Sequence, residues 1–90
     1  MMGGMWEKFS NRVLSLVLNY TIPQYGDKLD EQLSAEFCMD QITKYTRRIK
    51  KGQNARGPGE DLRDCLKIAH YACILYNRLG EDDAQSNTRV

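Results

Sequence analysis

The sequence is poor in the residues from which catalytic and metal sites are usually built. It has one histidine, His70, which reads as a structural or surface residue rather than a metal ligand or general base. Its three cysteines, Cys38, Cys65 and Cys73, form no Cys-x-x-Cys pair, which removes zinc-ribbon and dithiol redox motifs. An odd cysteine count with no export signal points to reduced thiols and a cytoplasmic location. The apolar run Val13 to Leu18 is interrupted by Ser15 and is too short to cross a bilayer, so no membrane association is expected. Without secretion the acceptor pattern Asn19-Tyr20-Thr21 has no meaning as a glycosylation site. Charge of one sign is also lacking: 13 Lys and Arg stand against 12 Asp and Glu, for a formal charge of +1. Proteins that coat polyanions usually carry a large basic excess.

What remains is a soluble helical pattern, with a mean hydropathy of −0.62 and 28% charged residues. Three helices are predicted, at about residues 5–20, 29–51 and 59–79, and no strand pattern appears. In the first, Trp6, Phe9, Val13, Leu16, Val17 and Tyr20 recur at spacings of three and four. It is expected to stop before Ile22-Pro23, because the residue preceding proline disfavours helical dihedrals. Tyr25-Gly26-Asp27 then reads as a turn. In the second helix, with Asp27 or Asp30 as cap and Gly52 as stop, Cys38, Ile42, Tyr45 and Ile49 form an apolar stripe. The loop from Gly52 to Gly59 contains glycines and a proline and is not helical. In the third, Leu62, Leu66, Ala69, Cys73 and Tyr76 form a packing seam, with Gly80 closing the helix. Residues 1–80 therefore read as one helical domain and 81–90 as a flexible polar tail.

A 90-residue chain buries only about 60–65% of its unfolded surface, so its own core is marginal. The third helix carries a second apolar stripe, Ile68, Ala72, Leu75 and Leu79, beside the seam. Three short helices offer few faces to cover both. An all-α three-helix bundle completed by homo-oligomerisation is the expected fold.

The polar residues are segregated. Glu36, Asp40, Lys44 and Arg47 share one face of the second helix, opposite its apolar stripe, and the bland account is a solvated, internally paired face. Glu60, Asp61 and Asp64 cluster at the start of the third helix, where the first two complement the helix dipole. Asp64 lies a full turn inside. Carboxylates from facing helices can converge on a hard divalent cation. Lys44, Arg47, Arg48, Lys50, Lys51 and Arg56 lie close together with no acid among them. Such a stretch suits phosphate by charge and suits a nucleic-acid backbone as a rival. Gly52-x4-Gly57 imitates half of a P-loop, but Pro58-Gly59 stand where Lys and Ser or Thr are required.

Residues 36–76 resemble the all-α nucleoside triphosphate pyrophosphohydrolases of the MazG-like and dimeric dUTPase-like type, and small phage nucleotide-metabolism proteins. Glu60-Asp61-Leu62-Arg63-Asp64-Cys65-Leu66 is similar to that family's E-[ED]-L-x-D-x-L helix. Lys44-Tyr45, Arg48, Lys51-Gly52 and Glu60-Asp61-Leu62 are similar to a K-Y-x-x-R…K-G…E-D-L pattern in small phage helical proteins. The family's first helix normally carries an E-x-x-E pair. Glu36 and Asp40, four apart, stand there instead. The resemblance implies Mg²⁺ held by Glu36, Asp40, Asp61 and Asp64, with phosphate gripped by Lys44, Arg47, Arg48 and Lys51 and Tyr71 contacting the nucleotide. It implies an oligomeric pyrophosphohydrolase in the cytoplasm of a bacterial or phage-infected cell. Two alternatives stand beside it: a non-catalytic oligomer that sequesters a nucleotide signal, and a helical module binding nucleic acid or protein through residues 44–56.

Overall fold

The computed structural model describes residues 2–26, 28–52, 57 and 59–86, and of these the side chains of 29, 30 and 82–86 are left aside. Among the described residues the chain is all-α, with no strand. Helix α1 (Met2–Leu16) passes through a π-helical turn (Val17–Thr21) into the short α2 (Ile22–Tyr25). A single turn, α3 (Leu29–Gln32), precedes α4 (Ala35–Lys50), and α5 (Glu60–Ser86) closes the fold. The three-helix reading holds, with three differences at the helix ends.

The first helix does not stop before Ile22-Pro23. Proline lacks an N–H and its ring crowds the carbonyl four residues back, which breaks a regular helix. Here the wider π turn absorbs it: the Ile22 amide donates to the Val17 carbonyl, five residues back. The helical path then continues through Pro23 to Gly26, whose φ of 96° ends it.

The second helix is broken at Leu33-Ser34. Leu33 is extended, and the Ser34 hydroxyl accepts from the Phe37 amide at 3.1 Å, making Ser34 the N-cap of α4. The expected cap Asp27 lies outside the described residues. The freed carbonyl of Leu33 accepts from Arg78 Nε at 2.8 Å, so the far end of α5 holds the break in place. At its other end α4 stops as expected, with Gly52 at φ 69° and its amide donating to the Ile49 carbonyl. The following residues 53–56 and 58, Arg56 among them, lie outside the described residues.

The third helix runs past Gly80 to Ser86, across part of the sequence read as a polar tail. An ion pair from Arg78 to Glu81, 2.9 Å at spacing three, spans the glycine. Residues 87–90 lie outside the described residues.

Helices α4 and α5 form an antiparallel hairpin. Leu33 meets Arg78, Tyr45 meets Tyr71, and Arg48 meets Asp64, so residue numbers fall on one helix as they rise on the other. Among the described residues the buried ones lie here: Cys38, Tyr45, Ile74 and Asp64. The stripe Cys38, Ile42, Tyr45 and Ile49 is the buried or half-buried face of α4, as its spacing predicts. The seam expected on α5 is not its packing face. Leu62 is 73% exposed, Tyr76 is 78% exposed and Cys73 is exposed. The face of α5 turned to α4 instead carries Asp64, Tyr71, Ile74 and Arg78. The reason is pairwise chemistry: the cations and tyrosine of α4 find an acid and a tyrosine there.

Candidate phosphate-binding surface

Lys44, Arg47, Arg48 and Lys51 follow spacings of three, one and three, and helical geometry gathers them on one side of α4. With Thr43 and Asp40 they line an open groove of about 570 Å³. The four cations nominated from sequence are thus together, and Asp40 is the one acid in that lining.

Beside this groove two of its cations, Lys44 and Arg48, also meet the ring of Tyr45. Lys44 Nζ stands 4.8 Å from the centre of its ring, the Arg48 guanidinium 5.4 Å and Lys67 Nζ 5.4 Å. Each cation is attracted by the ring face, and their mutual repulsion is offset locally by Asp64, which is 1% exposed. Arg48 Nε lies 3.9 Å from Asp64 Oδ2, a loose ion pair. Burial holds Lys67 below the ordinary lysine value, Asp64 opposes that shift, and Arg63 and Arg48 add to it. An amine whose charge is penalised by desolvation and by neighbouring cations gains from an incoming anion.

Behind Tyr45 lies a pocket of about 60 Å³ bordered by Tyr20, Tyr25, Tyr45, Lys67, His70 and Tyr71. Tyr45 and Tyr71 stack at 6.2 Å, and Phe37 meets Tyr71 edge-on at 6.3 Å. Burial raises the hydroxyl of Tyr45, with Arg48 opposing; burial and then Tyr45 raise that of Tyr71. Tyr71 is therefore part of the packed wall between the helices and does not line the basic groove.

The four proposed magnesium ligands are not brought together. Among the described residues no group of three or more His, Cys, Asp and Glu side chains is placed to hold a metal ion. The antiparallel hairpin explains this. Asp64 stands level with Arg48, whereas Asp40 and Glu36 precede Arg48 by eight and twelve residues, roughly 12 and 18 Å along the helix. Glu36 and Asp40 are exposed, Asp61 is half-buried and Asp64 is buried against a cation. This set does not fit Mg²⁺ within one chain.

Sequence reasoning missed Lys67. Its signal was its spacing on α5, three after Asp64 and four before Tyr71, but its value depends on the hairpin register that sets it over Tyr45. His70 borders the tyrosine pocket beside Tyr71. No family model matches the chain, and neither a curated protein nor a solved structure matches it.

Proposed function

We propose that this protein is a nucleotide-binding helical protein that grips a phosphate chain directly with Lys44, Arg47, Arg48 and Lys51, without turnover. The observation that carries the reading is the groove on α4, where four cations and the Thr43 hydroxyl face one opening. Lys67, outside the groove at 5.4 Å from the ring of Tyr45, adds positive potential nearby. Charge-assisted hydrogen bonds from such groups contribute roughly 1.5–3 kcal/mol each. The four cations, Lys44 to Lys51, span about two turns of one helix, a length suited to a di- or triphosphate rather than to an extended nucleic-acid track. The net charge of +1 favours the compact ligand for the same reason.

The test is a thermal-shift and calorimetric screen of nucleoside mono-, di- and triphosphates with EDTA or Mg²⁺, beside single- and double-stranded DNA. Nucleotides are expected to raise the melting temperature in EDTA, increasingly with phosphate number. Arg47→Ala combined with Lys51→Ala should weaken binding by about a hundredfold, roughly tenfold per lost contact. A shift seen with DNA alone, falling steeply with salt, would replace the reading with nucleic-acid binding. Magnesium-dependent release of pyrophosphate would restore the hydrolase alternative, with acids drawn from more than one chain. If no nucleotide moves the melting temperature, the proposal is lost.

A further inference from the structure

Along the face of α5 turned away from α4, Leu62, Cys65, Ala69, Ala72, Tyr76 and Leu79 follow a 3-4-3-4-3 spacing with no charged residue among them. This is the heptad pattern of a helix that packs against another helix. All six are exposed except Ala69, which is half-buried. A groove of about 370 Å³ between α1 and α5, lined by Trp6, Phe9, Val13, Leu14, Ala69 and Cys73, borders the stripe. The apolar surface therefore continues from α5 onto α1.

We propose that this face is covered by a second copy of the chain, α5 against α5 in antiparallel register about a two-fold axis between Ala69 and Ala72. Area supports a partner of this size. The chain exposes 7045 Å², whereas a folded monomer of 10.4 kDa exposes about 5,400 Å². The excess, about 1,600 Å² over the whole chain, leaves room for the roughly 1,000–2,500 Å² an obligate dimer buries per partner. The radius of gyration, 14.8 Å, likewise exceeds the roughly 12 Å of a compact domain of this length.

The stripe is also complementary to itself. Reversed upon its own copy it sets Leu62 opposite Leu79, Cys65 opposite Tyr76 and Ala69 opposite Ala72. The alanines at the centre let the two backbones approach, and the larger residues close both ends. An isologous two-fold contact requires such self-complementarity. A different partner would need to supply its own matching heptads, whereas a second copy already has them. The inference rests on α5 and α1 and does not depend on the nucleotide reading.

Sedimentation of the intact chain should give a particle of twice the 10.4 kDa chain mass. Ala72→Glu places two carboxylates at the centre of the contact and should raise the dissociation constant at least about a hundredfold. Its helical circular dichroism should be retained, since Ala72 is exposed within one chain. If Ala72→Glu does not fold, Leu79→Lys, also exposed, is the second variant and should likewise give monomers. The register is read by Tyr76→Cys in a Cys73→Ser background. Mild oxidation should link Cys65 to the new thiol of the partner, and further Cys65→Ser should abolish the link. A link that survives Cys65→Ser would overturn the antiparallel register. A wild-type chain that sediments as a monomer at tens of micromolar, or folded Ala72→Glu and Leu79→Lys variants that remain dimers, would overturn the interface itself.

Discussion

The two faces of α5 invert the usual distribution of polarity. The face against α4 carries an aspartate, a tyrosine and an arginine around Ile74, whereas the opposite face carries leucines, alanines, a cysteine and a tyrosine, mostly in contact with water. In an isolated amphipathic helix the apolar stripe turns inward. The hairpin shows that pairwise chemistry can outrank that rule. The Arg48–Asp64 pair, the Tyr45–Tyr71 stack and the Arg78–Leu33 hydrogen bond fix the register of α5 on α4. The apolar side of α5 is left over by that choice, and α1 covers only part of it.

The difference between the faces can be broken most severely at Asp64. Asp64→Ala leaves Arg48 and Lys67 without their buried counter-charge and should cost about 3–5 kcal/mol in urea unfolding. Next comes Ile74, the buried aliphatic of the inner face. Ile74→Ala should cost about 2–4 kcal/mol through lost transfer energy and a residual cavity. Tyr76, two residues on but 78% exposed, sharpens the contrast. If the proposed two-fold interface forms, the loss in Tyr76→Ala should depend on protein concentration, whereas the loss in Ile74→Ala should not.

Ser34→Ala removes the side-chain cap of α4 and should cost about 1 kcal/mol. The smallest effect concerns pH. Burial places Lys67 below the ordinary lysine value, so just below 10.5 the unfolded chain binds more protons than the folded one. That contribution makes stability rise with pH as the folded amine discharges. Tyr45 and Tyr71 are raised above 10.0 and act in the opposite sense: the folded hydroxyls keep protons that the unfolded ones lose, so stability falls above pH 10. Lys67→Met should remove only the rising part. Urea midpoints measured between about pH 8 and 10.5 would show the variant gaining less stability with pH than the wild type. Equal slopes would deny Lys67 its desolvated position.

Much of the helical content was legible because it is local. The stripe of α4, the glycine stop at Gly52 and the gathering of Lys44, Arg47, Arg48 and Lys51 follow from a period of 3.6 residues and need no partner. The misread ends had competing local signals. Pro23 is a strong breaker, yet one π turn suffices to pass it. Ser34 sits inside a continuous helical pattern, and its capping role is reinforced by Arg78 from the far end of the chain. Gly80 weakens a helix by only about 1 kcal/mol, which the adjoining turns can carry.

The sequence by itself determined that this chain is helical, that its acids and bases are segregated, and that Lys44, Arg47, Arg48 and Lys51 share one side of one helix. Those properties depend on spacing along a single element. Only the tertiary structure decided which side of α5 meets α4, and with it the fate of the carboxylates. The antiparallel register sets Asp64 beside Arg48 and leaves Asp40 and Glu36 farther along the hairpin, so within one chain the four carboxylates are not gathered. The same register brings Lys67 to the ring of Tyr45 and turns the heptad of α5 outward. Side-chain spacing fixes what a helix offers on each face; the pairing between helices selects which face is used.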